Sequence, residues 1–199
     1  MDVLEHIADS LQLVGWIAVP DFFQSQTIEA LREECRQLAA TGALRKAAVG
    51  KGAHRRVRQE LRGDEICWLN DTGAAGSRRQ CLDRFEQLRL ALNSRLQLGL
   101  FEFECHFARY APGAFYRKHY DRFHGDVRRI LSSVLYLNAD WRSGDGGQLR
   151  LHVGDAQQGH VDVFPRGGTL VLFLSERFAH EVLPAQRERL SLTGWFRAR

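Results

Sequence analysis

Apolar residues recur at helical spacing through much of the first hundred positions and at every second position through the remainder. Val3, Ile7, Leu11 and Val14 share one helical face over residues 2–14, and Gly15 ends that run before an extended segment at Trp16-Ile17-Ala18-Val19-Pro20. Ser25 is placed to cap a second helix whose stripe is Ile28, Leu31, Cys35 and Leu38, ending near Gly42. Residues 43–65 have no clean period and are expected to form a long mobile loop or hairpin. After the apolar Ile66-Cys67-Trp68-Leu69 and a turn at Asn70-Asp71-Thr72-Gly73, a third helix aligns Cys81, Phe85, Leu88, Leu92 and Leu96 and closes at Gly99. From Phe101 the period is two, which predicts strands at 101–109, 115–121, 129–138, 147–153, 160–164, 169–174, 180–184 and 188–197. Gly144-Asp145-Gly146-Gly147 and Arg166-Gly167-Gly168 are the clearest turns between them. Short strands behind a helical half predict an α+β chain of one domain, residues 1–199. Its core at 100–199 is a double-stranded β-helix, or jelly-roll barrel, supported by the helices and loop of 1–99.

With 199 residues, 44% of them apolar and 26% charged, the chain can bury a core without metal staples or disulfides. The longest apolar run, Thr169 to Leu174, falls far short of the roughly 20 residues that cross a membrane, so no membrane partner is expected. The acidic, amphipathic start Met1-Asp2-Val3-Leu4-Glu5-His6 is unlike a secretory signal. Cys35, Cys67, Cys81 and Cys105 form no CxxC pair, which disfavours a thiolate zinc site or a redox dithiol and fits a reducing cytoplasm. The net charge of +4 and pI near 9.1 concentrate in Lys46, Lys51, Arg55, Arg56, Arg58 and Arg62, with a smaller pair at Arg128-Arg129. Such a stretch suits an acidic partner or a plain solvated loop equally well.

Candidate chemistry begins with His-x-Asp. Residues two apart on a strand point to one face, so this pattern can aim an imidazole and a carboxylate at one interior point. It occurs three times, as His119-Tyr120-Asp121, His124-Gly125-Asp126 and His160-Val161-Asp162. The second straddles a glycine in a loop, and the third leaves little chain for the rest of a site. His119 and Asp121 end a strand with most of the barrel still to come, and His180, after the most apolar strand, supplies a second histidine. Two histidines and a carboxylate leave open positions on one side of a metal, the arrangement of non-haem Fe(II) oxygenases. Arg189 opens the last strand and, facing inward, needs an anionic partner. A dicarboxylate chelating the metal at one end would meet it; pairing with Glu188 or Glu176 is the structural alternative.

These residues stand among further motifs: Arg62-Gly63-Asp64, Trp68, Tyr110-Ala111-Pro112-Gly113, Tyr116-x-x-His119-x-Asp121, Tyr136-Leu137-Asn138-x-Asp140-Trp141, Gly146-Gly147-x-Leu149-Arg150, His180-Glu181-Val182 and Arg189-x-x-x-Thr193-x-Trp195. From about Arg62 to Trp195 the chain thereby resembles the 2-oxoglutarate-dependent Fe(II) oxygenases, and among them the prolyl hydroxylases related to those that modify hypoxia-inducible factor. The resemblance implies an iron held by His119, Asp121 and His180, with Arg189 and Tyr136 on the distal carboxylate of 2-oxoglutarate. Tyr110 would lie near the metal end, and Val134, Leu149, Val182 and Thr193 would line the cosubstrate slot. It also implies O2 as cosubstrate, ascorbate as a candidate addition and release of succinate and carbon dioxide. Residues 43–65 would be a finger loop ending in Arg62 and Asp64, which close on a substrate, while Arg128 or Arg129 and Trp195 would flank a proline. The implied partner is a protein substrate bearing a proline, with elongation factor Tu the first to try and oxygen sensing the associated role. The rivals are the same chemistry on nucleic acid, a metal-binding barrel without oxygenase activity and a metal-free binding module.

Overall fold

The computed structural model describes residues 2–50, 56–69, 73–122, 127–154 and 159–199. Three helices, α1 (Val3–Leu13), α2 (Ser25–Ala40) and α3 (Gly76–Leu96), follow the apolar stripes. Asp2 caps α1 by accepting the Leu4 amide at 3.4 Å. At α2 the N-cap is Gln24, with no side-chain cap bond, and Ser25 is already helical, contrary to the expected serine cap. Helix α3 ends on Gln97, which is left-handed (φ 52°), so the reversal starts ahead of Gly99.

The strands are β1 (Trp16–Val19), β2 (Arg45–Lys46), β3 (Glu65–Trp68), β4 (Glu102–Tyr110), β5 (Tyr116–His119), β6 (Arg129–Tyr136), β7 (Leu149–Val153), β8 (Gly159–Val163), β9 (Leu170–Leu174), β10 (His180–Val182) and β11 (Arg189–Arg197). All eight periodic segments of the second half are strands, each within about three residues of its expected ends. They form two sheets, a larger one in the order β1-β9-β6-β11-β4-β3-β2 and a smaller one in the order β5-β10-β7-β8, with every pairing antiparallel. The first half is thus more than support. β1 extends the large sheet beside β9, and β3 extends it beside β4. The 43–65 stretch takes the hairpin form, with β2 on β3 and a bridge from Val49 to Arg56. Lys51 to Arg55, the turn at Asn70 to Thr72 and the pattern His124-Gly125-Asp126 lie outside the described residues.

Strand alternation sorts side chains between two cores. On the helix side of the large sheet, Phe107, Leu135, Leu172, Leu192 and Phe196 pack on Ile7, Leu31, Phe85 and Leu88, all essentially sealed from water. Each such side chain stabilises the fold by about 1.5–3 kcal/mol. The residues between them point into the barrel: Ala108 and Tyr110 on β4, Val134 and Tyr136 on β6, Val171 and Phe173 on β9, facing Leu149, Leu151 and Val182 of the small sheet. Polar residues interleaved among the apolar strand positions therefore project into an enclosed space. No helix among the described residues is long and apolar enough to cross a membrane.

Candidate active site

His119 and His180 are paired across β5 and β10 in the small sheet. Their rings lie 4.2 Å apart between centroids. Strand β5 ends at His119, so Asp121 is aimed by the bend that follows and not by strand alternation as the sequence pattern suggested. What holds it is the opposite sheet: Ser132 of β6 donates its hydroxyl to Asp121 Oδ2 at 2.7 Å, and Ser175 Oγ lies 2.8 Å from Ser132 Oγ. Asp121 Oδ1 is 3.6 Å from His119 Nε2, and Oδ2 is 3.5 Å from His180 Nε2. One ligand atom from each of the three falls within 4.8 Å of the others, the one such metal-competent cluster among the described residues.

The protonation pattern suits metal binding. His119 Nδ1 lies 2.8 Å from the Arg117 carbonyl and His180 Nδ1 lies 3.3 Å from that of Phe178. Carbonyls only accept, so each Nδ1 carries a hydrogen, and each Nε2 is left facing Asp121. Burial, then the neighbouring His119, pushes the His180 pKa down to about 4, leaving the ring neutral near pH 7. For Asp121 burial acts upward, but the flanking His180 and His119 and the hydrogen bond from Ser132 outweigh it and hold the carboxyl well below its usual range. Tyr116 stacks on His119 at 3.6 Å and fixes the more open of the two rings. The third His-x-Asp pattern is engaged elsewhere. On β8, Asp162 makes a two-pronged bond to Arg150 at 2.7 and 2.8 Å.

Arg189, 1% exposed, opens β11 beside Tyr110 of β4. Among the described residues it has no carboxylate partner. Glu188 is bound to Arg36 and Arg109, and Glu176 to Arg122, which removes the structural alternative. Its well-formed hydrogen bond among the described residues runs from Nε to the Gly147 carbonyl at 2.9 Å. Gly147 sits at a positive φ of 67°, and a Cβ there would come within 3.2 Å of Arg189 Cδ, so glycine makes room for the arginine. The guanidinium carbon lies 4.9 Å from the Tyr110 ring and 5.1 Å from that of Tyr136. The Tyr136 hydroxyl is buried without a well-formed hydrogen bond, and burial raises that phenol to about 12, with Arg189 acting in the opposite sense. A buried cation with no carboxylate partner among the described residues, beside a hydroxyl with no well-formed hydrogen bond, is a costly arrangement that an anion would relieve.

The triad and Arg189 open on one cavity of about 390 Å³, which Tyr110, Val134, Leu149, Val182 and Thr193 also line. Residues 105–197 match the model of the 2OG-Fe(II) oxygenase superfamily. The human prolyl hydroxylase EGLN3 is 30% identical over 97% of this chain and 82% of its own length. A crystal structure of a Pseudomonas putida prolyl-4-hydroxylase superposes with a TM-score of 0.89 at 48% identity, covering 99% of this chain and all of that one. A Trichoplax adhaerens prolyl hydroxylase in complex with a hypoxia-inducible-factor peptide fragment superposes with a TM-score of 0.86 at 26% identity, covering 98% and 89%. The chain belongs to the 2-oxoglutarate- and Fe(II)-dependent oxygenases, among the prolyl hydroxylases.

A prolyl hydroxylase fold with this donor set suits Fe(II): two imidazoles and one carboxylate converge, and all three line the cavity. Also lining the cavity, Arg62 grips Asp64 in a two-pronged bond, at 2.7 and 2.5 Å, and its guanidinium lies 4.2 Å over the Tyr116 ring. Of the two consecutive arginines, Arg129 lines the cavity, 3.6 Å over the Trp195 ring and bound to Glu104, whereas Arg128 is exposed and lines no part of it. Sequence reasoning had missed Ser132 and His106. A serine pair at 132–133 reads equally well either way round, but His106 is a polar residue between Cys105 and Phe107 on an inward-pointing position, a signal that was present. Ser132→Ala is expected to weaken metal binding roughly ten- to a hundredfold, since the residue that orients a metal carboxylate has effects of that size. Titration with Mn(II) as a redox-stable probe measures this, and an unchanged affinity would show that Asp121 is positioned without it.

Proposed function

We propose that this oxygenase hydroxylates a prolyl residue in a protein substrate, with elongation factor Tu the first candidate. The observation that carries the reading is that a single cavity is lined by the triad, by Arg189 and by the pairs Arg62–Asp64 and Arg129–Trp195. Arg62 and Arg129 are already paired with carboxylates, so they present planar, oriented faces and not free charge. That suits a peptide and disfavours a grip on phosphates.

His119 and His180 through Nε2, and Asp121 through a carboxylate oxygen, would hold the iron, while Arg189 and Tyr136 would hold the distal carboxylate of 2-oxoglutarate. Together, when bound, these groups supply the oxidation: O2 is consumed, 2-oxoglutarate becomes succinate and carbon dioxide, and an oxygen atom enters a substrate C–H bond. The remaining work belongs to the chain. Val134, Leu149 and Val182 would keep water from the cosubstrate, with Tyr110 and Thr193 at its polar edges. Arg62, held by Asp64, would close on the substrate, and Arg129 with Trp195 would flank the proline.

Mass spectrometry of a cell lysate treated with enzyme, iron and 2-oxoglutarate tests this reading: one proline-bearing protein should gain an oxygen atom, and no such gain overturns it. Asp64→Asn keeps the shape of the pair but removes the charge that fixes Arg62. We expect it to lower protein hydroxylation at least roughly tenfold while slow uncoupled turnover of 2-oxoglutarate persists, because the iron and cosubstrate residues lie elsewhere. Tighter binding of single-stranded nucleic acid with undiminished protein hydroxylation would point instead to a phosphate-binding loop.

A further inference from the structure

His106 is 3% exposed on β4 and lines the cavity without belonging to the iron or cosubstrate sets. Its register neighbours are Trp68 on β3 and Thr193 on β11, and both also line the cavity. Trp68 meets its ring edge-on at 4.9 Å, and Trp195 lies 5.6 Å away, tilted. These contacts fix the ring plane.

Its two nitrogens differ. Nδ1 lies 3.2 Å from the Phe107 carbonyl, which can only accept, so Nδ1 carries the hydrogen. Burial lowers the pKa to about 4, and the ring is neutral near pH 7. Nε2 is therefore an acceptor. No donor of the described residues reaches it, yet it is not among the buried atoms sealed without a partner. An acceptor that is neither paired nor sealed, on a side chain lining the cavity, is open to what the cavity holds.

Resting on the prolyl reading of the function, we infer that His106 is a specificity-determining residue whose Nε2 accepts a hydrogen bond from the backbone N–H of the residue that follows the target proline. Proline offers no N–H of its own, and the peptide bond before it offers only a carbonyl. The first backbone donor on the far side of the ring is that next amide. The site thereby selects substrates in which the residue after the target is itself not proline.

The test uses full-length enzyme and the protein substrate found in the lysate experiment, as a synthetic peptide spanning its target proline. A second peptide is N-methylated on the residue after that proline. His106→Phe keeps a flat ring without the acceptor, and His106→Gln returns an acceptor near the position of Nε2. We expect His106→Phe to raise KM for the first peptide about tenfold with kcat and KM for 2-oxoglutarate little changed, and His106→Gln to recover most of the loss. N-methylation should impair the wild type but cost His106→Phe nothing further. An independent readout is the ring tautomer: nitrogen NMR of histidine-labelled protein should show His106 protonated at Nδ1 alone at pH 7, with the Nε2 signal moving on peptide binding. Unchanged KM in His106→Phe, or a hydrogen on Nε2, overturns the assignment while leaving the prolyl reading intact. A lysate in which no proline gains oxygen removes both.

Discussion

Asp121→Ala is expected to reduce iron affinity and turnover by at least roughly a hundredfold, beyond the effect of losing an orienting partner such as Ser132. Imidazoles would bind a metal as uncharged ligands, so among the described residues of this cluster the carboxylate would be the one charge to oppose a divalent ion. The fold should tolerate the change. Asp121 has no cationic partner that would be stranded, since its neighbours are the two histidines and the Ser132 hydroxyl, and Ser132 keeps a bond to Ser175. A thermal melt close to that of the wild type, with iron content and 2-oxoglutarate consumption both collapsed, is the expected pair of results. Asp162→Ala is the matched control. It removes the carboxylate of another His-x-Asp pattern, but one committed to Arg150 on the smaller sheet, and should leave iron content unaltered. Full iron content in Asp121→Ala would displace the site.

The contrast between those two aspartates shows how far the sequence could be read. Period-two alternation was legible and marked β4, β6, β9 and β11 as strands, but Tyr110, Val134 and Tyr136 were assigned to the interior by the family resemblance, and the strand register is what places them there. Alternation could not show that β5 stops at His119, because what directs Asp121 is a hydroxyl from the other sheet, eleven residues along the chain. The choice between Arg128 and Arg129 was hidden for a related reason. It depends on the register of β6 against β11, and a shift there between Phe196 and Arg197 makes the local count unreliable. The strands that the first half lends to the barrel were only partly visible. β1 was expected as a strand but not its place at the edge of the large sheet, and β3, with Ile66 inside and Trp68 half out, shows too few turns of pattern to declare itself. Short segments paired over long sequence distances leave little periodic signal, and their place is decided by the partner strand.

Arg189 offers the sharpest separation of stability from function. Among the described residues this buried cation has a well-formed hydrogen bond to a carbonyl and no carboxylate partner, which contributes little to the fold, and replacing even paired buried charges with apolar residues of similar volume is often neutral or stabilising by about 1–4 kcal/mol. Arg189→Met should therefore melt at or above the wild-type temperature when neither protein carries cosubstrate. Added 2-oxoglutarate with Mn(II) should then raise the wild-type melting temperature and leave that of Arg189→Met where it was, because only a ligand that binds the native state shifts the midpoint. Arg189→Lys keeps the charge but loses both the planar fork and the Nε bond to Gly147. For it we expect KM for 2-oxoglutarate to rise at least roughly tenfold, about 1.4 kcal/mol, with the iron content intact. If Arg189→Met instead unfolds and Arg189→Lys binds 2-oxoglutarate as the wild type does, the guanidinium holds the barrel together through Gly147, and the anion belongs elsewhere in the cavity.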